Sequence, residues 1–304
     1  MTDITQQLAR FATQSPVQFL PNPFPATADH AQVPIRLYLK RDDLLHPLVS
    51  GNKWRKLKYN LLVAQAQGHH TLLTFGGAYS NHLYATAAAG QVFGFSTIGV
   101  VRGEELANAP LNSTLTFCRS CGMRLHFVSR ADYRHKENPA FVASLIDRFG
   151  PCFVIPEGGT NELAIRGTAE LMPEIIDQLG RTPDYVCCSV GTGGTVMGLA
   201  ETAPPETIVL GFPALKAADF KLPKPANCRL ETAYHFSGYA KTTPELLNFI
   251  RSFEQKNSVL IEQVYTGKML FGIYDLARRG LFPDGATVVA VHTGGLQGRS
   301  GALD

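Results

Sequence analysis

Along this chain, short apolar runs alternate with longer segments whose apolar residues return every three to four positions. The runs predict strands at 35–40, 71–75, 97–101, 124–128, 152–155, 184–190, 207–212 and 286–292. The longer segments predict helices near 53–67, 81–92, 110–121, 138–149, 161–179, 194–202, 243–256 and 267–279. Strands alternating with helices argue for βα units on a parallel sheet. The helix near 53–67 sets Trp54, Leu57, Leu61 and Ala64 on one stripe, with Gly68 beyond as a stop. The Pro/Lys-rich piece 213–227 reads as a surface excursion, and no internal repeat is visible.

Composition narrows the functional classes. A chain of 304 residues with 17% charged residues and a net charge of +3 has room for two lobes. Its charges are scattered, with no basic stripe, so nucleic acid is not an expected partner. No apolar run approaches the roughly 20 residues of a membrane span. The opening MTDITQQLARF lacks a signal peptide's layout, so a soluble, cytoplasmic protein is expected. Cys187 and Cys188 lie in an apolar run that reads as a buried strand. Cys118 and Cys121 form a C-x-x-C inside a predicted helix with no second pair, which reads as two helix thiols; no metal site is expected.

Glycine and lysine placement supply the chemistry. Four Gly-Gly pairs, at 76–77, 158–159, 193–194 and 294–295, each follow a predicted strand closely. At a strand's carboxyl end such pairs let backbone amides approach a ligand. The best anion cradle is SVGTGGTVMG at 189–198, a strand, a Gly/Thr loop and a helix start. It resembles a dinucleotide fingerprint only in part, because Val196 takes the third glycine position; it is not a Walker loop either. Lys53, Arg55, Lys56 and Lys58 crowd the start of the first long helix, where the macrodipole disfavours cations. Lys56 and Lys58 read as a solvated basic face. Lys53, held between Gly51-Asn52 and Trp54, reads as an amine nucleophile whose pKa desolvation would lower.

The stretches LKRDDLLHPLVSGNKWRKL, FGGAYSNH, SVGTGGT, GYAKTTPEL, VYTGKM and HTGG span nearly the whole chain. Together they resemble the 1-aminocyclopropane-1-carboxylate deaminase / D-cysteine desulfhydrase family of pyridoxal-phosphate enzymes. The resemblance implies a tryptophan-synthase-β-like fold (fold type II), with two open, twisted, mainly parallel sheets in two domains and the cofactor in the cleft. The expected division is 1–56 with 156–304 as the large cofactor-binding domain and 57–155 as a small inserted domain. A homodimer and a small amino-acid substrate are implied as well.

Carried over on matching positions, the resemblance makes Lys53 the Schiff-base lysine with Asn52 beside it. Asn81 would meet the cofactor's 3′-oxygen, and Ser80 the substrate. Gly191, Thr192, Gly193, Gly194 and Thr195 would bind phosphate. Tyr239 and Tyr265, 26 residues apart, match two active-site tyrosines. Thr266 and Thr293 stand where deaminases tend to carry Glu and Leu and desulfhydrases Thr; a neutral hydroxyl by the ring nitrogen gives a weaker electron sink, enough to expel a thiolate. The implied reaction is α,β-elimination on D-cysteine to pyruvate, sulfide and ammonia. The alternatives are deamination of 1-aminocyclopropane-1-carboxylate or of another small D- or β-substituted amino acid, and a non-catalytic binder of cofactor or amino acid. A nicotinamide-dependent dehydrogenase rests only on the incomplete glycine fingerprint. Tyr79 replaces the family's usual Gln, Tyr84 the desulfhydrases' Arg, and GYAK the usual GYG-x-P; the resemblance implies that all three border the substrate.

Overall fold

The computed structural model describes residues 4–11, 14–21, 23–24, 35–49, 51–215 and 226–303. It divides into two compact units, Met1–Thr13 with His46–Gly167, and Gln14–Leu45 with Thr168–Asp304. Helix α1 (Ile4–Phe11) precedes strands β1 (Val17–Leu20) and β2 (Ile35–Lys40). Next come α2 (Asn52–Ala66), β3 (Thr71–Gly76), α3 (Asn81–Phe93), β4 (Ser96–Arg102) and α4 (Ser113–Ser120). The first unit continues through β5 (Arg124–Val128), α5 (Arg130–Tyr133), α6 (Pro139–Phe149), β6 (Phe153–Ile155) and most of α7 (Glu162–Ala169). The second unit holds α8 (Leu171–Leu179), β7 (Tyr185–Val190), α9 (Gly194–Thr202), β8 (Ile208–Pro213) and β9 (Cys228–Leu230). It ends with α10 (Pro244–Asn257), α11 (Thr266–Arg278) and β10 (Ala286–Val291).

In the first unit the sheet order is β5-β4-β3-β6, parallel throughout, with Thr71 opposite Ser96 and Leu72 opposite Phe153. Both faces of such a sheet are covered, so its strands are near-continuously apolar. Leu73, Phe75, Ile98 and Val100 pack with Tyr133 and Leu145, while Leu83, Val101, Leu115 and Cys118 form a second cluster. Helix α3 starts because Ser80 Oγ accepts the Leu83 N–H at 3.2 Å, and stops at Gly94 in the left-handed region.

In the second unit the order is β1-β2-β10-β7-β8-β9, with only the β1–β2 pair antiparallel. Strand β10 is buried along its whole length, and Cys187 and Cys188 are fully buried in β7 as small apolar side chains. Among the described residues no helix is long and apolar enough to cross a membrane.

Several expectations shift. The divisions expected at 56/57 and 155/156 both fall within the first unit, and the former would cut through α2, which is continuous from Asn52 to Ala66. The single helix expected over 161–179 is two, α7 and α8. Pro173 has no N–H for the Ala169 carbonyl four residues back, and that carbonyl accepts the Thr202 hydroxyl instead, at 3.1 Å. Lys56 is not on a solvated face: it is 2% exposed and donates to Gly158 O at 3.0 Å and Thr160 Oγ1 at 2.9 Å. The surface excursion read at 213–227 has its middle, 216–225, outside the described residues.

Candidate functional site

The sequence-predicted residues fall into two sets, one in each unit. In the first, the loop leading to α2 is fixed by His46. Its Nδ1 accepts the Leu48 and Val49 N–H groups at 3.0 and 2.9 Å, and its ring stacks on Trp54 at 5.6 Å and 9°. Gly51 then turns the chain at φ 67°, a conformation that suits glycine, and α2 begins. Lys53 therefore emerges from the first turn on a rigid base. It is half-buried, its Nζ donates to Asn52 Oδ1 at 2.9 Å, and desolvation pushes its pKa down to about 8.

Ser80 and Asn81 open α3 beside it. His82, the next residue, is buried, and the charges of Lys53 and Lys56 add to desolvation in holding its pKa low, which ties the start of α3 to Lys53. The Thr74 hydroxyl donates to Ile155 O at 2.8 Å and so must accept from His82 Nε2 at 2.8 Å, leaving His82 Nδ1 as a buried acceptor without a hydrogen-bond partner. Ser80 Oγ is occupied as the acceptor of the helix cap, yet its own hydrogen stays available for donation.

In the second unit, β7 runs into Gly191-Thr192-Gly193 and α9 begins at Gly194, with Gly193 at φ 92°. The loop thus sets the amides of a helix N-terminus at a strand's carboxyl end. Thr192 is exposed, whereas Gly193, Gly194 and Thr195 are buried, and Thr168 Oγ1 ties the Gly194 carbonyl at 2.9 Å. Tyr265 lies alongside: a Cβ built on Gly191 would sit 3.5 Å from its ring. Tyr239 meets Tyr265 edge-to-face, centroids 6.0 Å apart at 69°. Thr266 follows at the start of α11, fully buried, with no hydrogen-bond partner for its Oγ1. Thr293 follows β10, the strand paired with β7, so it belongs to the same sheet edge as Gly191.

The glycine pairs do follow strands, two in each unit. Gly76-Gly77 and Gly158-Gly159 follow the paired strands β3 and β6; Gly193-Gly194 and Gly294-Gly295 follow the paired strands β7 and β10. They therefore mark two sheet edges, one in each unit.

Other positions gain a structural meaning that sequence reasoning missed. Glu262 is buried just before α11, and its carboxylate accepts the N–H groups of Val264, Tyr265 and Thr266 at 2.6–3.0 Å. Burial raises its pKa to about 7 against the pull of those amides and of Lys268. An acid four residues before a helix start was the available signal. Tyr84 lies flat on Phe117 at 3.8 Å and 11°, which packs α3 against α4; Tyr79 is 67% exposed. Cys118 is buried in α4 with its pKa pushed up to about 12, an inert thiol.

Against this geometry, the family described as pyridoxal-phosphate dependent enzyme matches residues 11–294. A Pyrococcus horikoshii protein, provisionally named a 1-aminocyclopropane-1-carboxylate deaminase, is 30% identical over 305 residues, covering 94% of this chain and 90% of that one. An Arabidopsis thaliana mitochondrial protein, named a bifunctional D-cysteine desulfhydrase/1-aminocyclopropane-1-carboxylate deaminase, is 28% identical and covers 88% of this chain and 74% of its own length. A crystal structure described as a 1-aminocyclopropane-1-carboxylate deaminase homologue superposes with a TM-score of 0.77 at 27% identity, covering 98% and 96% of the two chains. The two α/β sheets, one in each unit, are those of the tryptophan-synthase-β-like fold, and the cofactor that goes with it is pyridoxal 5′-phosphate. On the match from residue 11 to residue 294, the chain belongs to the pyridoxal-phosphate-dependent enzyme family.

Proposed function

We propose that this enzyme opens or eliminates from a small amino acid and releases ammonia and a keto acid, with 1-aminocyclopropane-1-carboxylate as its first substrate. The observation that carries the reading is the desolvated amine of Lys53, with a pKa of about 8, next to the start of α3. The provisional deaminase name of the Pyrococcus horikoshii relative supports the cyclopropane and reverses the order expected from sequence, which put D-cysteine first. D-cysteine is the second reading, favoured by the neutral hydroxyls of Thr266 and Thr293 and by the bifunctional name of the Arabidopsis relative.

The residues fit the cofactor on three features of the structure. Lys53 offers an amine that is partly free base near neutral pH. The Gly191–Thr195 loop offers helix-terminal amides for a phosphate. Thr266 offers a buried, unpartnered hydroxyl suited to a ring nitrogen. Pyridoxal phosphate, when bound, supplies an electron sink for charge developing at the substrate's α-carbon. Lys53 Nζ would hold it covalently and move a proton to or from the substrate carbon. Ser80 would give its free hydroxyl hydrogen to a substrate carboxylate oxygen, and Asn81, adjacent on α3, would hold the cofactor's 3′-oxygen. Tyr265 and Tyr239 would supply phenol hydroxyls to the substrate.

A purified-enzyme panel of 1-aminocyclopropane-1-carboxylate, D-cysteine, D-serine and β-chloro-D-alanine, scored for keto acid and sulfide, tests this. Keto acid from the cyclopropane is expected. Sulfide and pyruvate from D-cysteine alone would install the second reading, and no keto acid from any of the four would overturn both. Attachment of the cofactor to the cofactor-free chain is also expected to accelerate as pH rises between about 7 and about 9. The nucleophile is the unprotonated amine, whose fraction climbs through the Lys53 pKa of about 8. Stopped-flow absorbance would measure it, and a midpoint near the ordinary lysine value would count against Lys53 as the attaching group.

A further inference from the structure

A lysine in the first turn of a helix opposes the macrodipole, and Lys268 does so while 2% exposed. What surrounds its ammonium explains the placement. Nζ donates to His235 O at 2.9 Å and to Gly238 O at 2.8 Å. Around those carbonyls the backbone adopts φ 50° at Phe236, 67° at Ser237, 129° at Gly238 and 55° at Ala240, three of them at side chains that rarely take the left-handed region. Tyr239 sits within this run, 41% exposed, with its ring against Tyr265. Phe236 pins the run's near end edge-on to Phe271 at 5.1 Å. On the other side, the carboxylate of Glu262 attracts Lys268 and collects the amides of Val264, Tyr265 and Thr266.

We propose that Lys268 is a positioning residue: by clamping two carbonyls of the 235–240 loop from α11, it holds the Tyr239 and Tyr265 rings in their edge-to-face arrangement. The idea deepens the functional reading above and rests on it for the two tyrosines' place at the substrate. A strained loop needs an outside constraint to stay in one shape. An apolar side chain could fill the same space at less desolvation cost, but it would remove the charged donor that ties both carbonyls to α11, leaving each only a backbone donor from within the loop.

The test is Lys268→Met in the full chain loaded with pyridoxal phosphate. The kcat is expected to fall about 10²-fold, the scale of an ångström-sized misplacement. Cofactor occupancy and visible absorbance should stay at wild-type levels. Tyr239→Phe should then add little in the Lys268→Met background, because both changes remove the same contribution. A merely structural lysine would instead lower the melting temperature and leave kcat per loaded site unchanged, with the Tyr239→Phe loss fully additive; that outcome would overturn the proposal. Hydrogen exchange gives a readout without turnover. The Gly238 and Lys241 amides, bonded to His235 O at 3.0 Å and Gly238 O at 3.2 Å, should be protected in the wild-type cofactor-free chain and exposed in Lys268→Met. If that variant does not fold, unprotected exchange of these two amides in the wild type sinks the idea. If no substrate is turned over, the functional reading fails while the exchange result still decides whether Lys268 holds the loop.

Discussion

Lys53→Ala is expected to lower keto-acid production by at least ~10²–10⁴-fold, the usual contribution of a positioned proton-transfer group. It should also abolish the covalent hold on the cofactor, so that borohydride treatment no longer fixes label to this position. The fold should survive. The amine's hydrogen bond is to the neighbouring Asn52, and burial already works against its charge. Alanine is the strongest helix former, so α2 loses nothing in propensity. Circular dichroism and the melting temperature should therefore match or slightly exceed those of the cofactor-free wild type.

The nearby Lys56 makes the contrast. Its Nζ donates to Gly158 O and Thr160 Oγ1 from a buried position, so Lys56→Ala removes the side-chain donor from the Gly158 carbonyl and destabilises by about 1–3 kcal/mol. One lysine should fail in activity and the other in stability. Wild-type turnover by purified Lys53→Ala would remove the role given to it here.

That contrast shows how much of the site was legible in the sequence. Lys53 could be singled out locally, because it sits at a helix start that follows a glycine-bearing turn, whereas Ser80 and Asn81 were named only through the family resemblance, although they too open a helix. The strands β3, β7, β8 and β10 could be placed because parallel strands buried on both faces leave unbroken apolar runs. Strands β1 and β9 could not. They are four and three residues long, stand at the edges of their sheet and carry no such run. The burial of Lys56 and of Lys268 was invisible for another reason. A charged residue reads as solvated until tertiary structure brings carbonyls to it, here from Gly158, His235 and Gly238. Likewise the break between α7 and α8 became interpretable only once Thr202 was seen to take the Ala169 carbonyl.

The backbone under Lys53 is itself held by a close approach, and Gly167→Ala should expose it. A Cβ at Gly167 of α7 would lie 2.0 Å from Arg55 O and 2.9 Å from Arg55 C. Both are main-chain atoms of α2, two residues from Lys53, so no side chain can swing away and the two helices must separate. Overpacking of this kind costs about 1–3 kcal/mol or more. For a unit of this size that lowers the melting temperature by roughly 2–4 °C per kcal/mol. Gly68→Ala is the control: φ there is 75° and a Cβ would meet nothing within 4 Å, so only left-handed strain of about 1–2 kcal/mol is incurred, far from the α2 start. Gly167→Ala should also slow attachment of the cofactor to Lys53, because moving the first turns of α2 displaces the amine, whereas Gly68→Ala should leave that rate unchanged. Equal melting temperatures and equal attachment rates for Gly167→Ala and the wild type would mean that the α2–α7 contact does not set the position of Lys53.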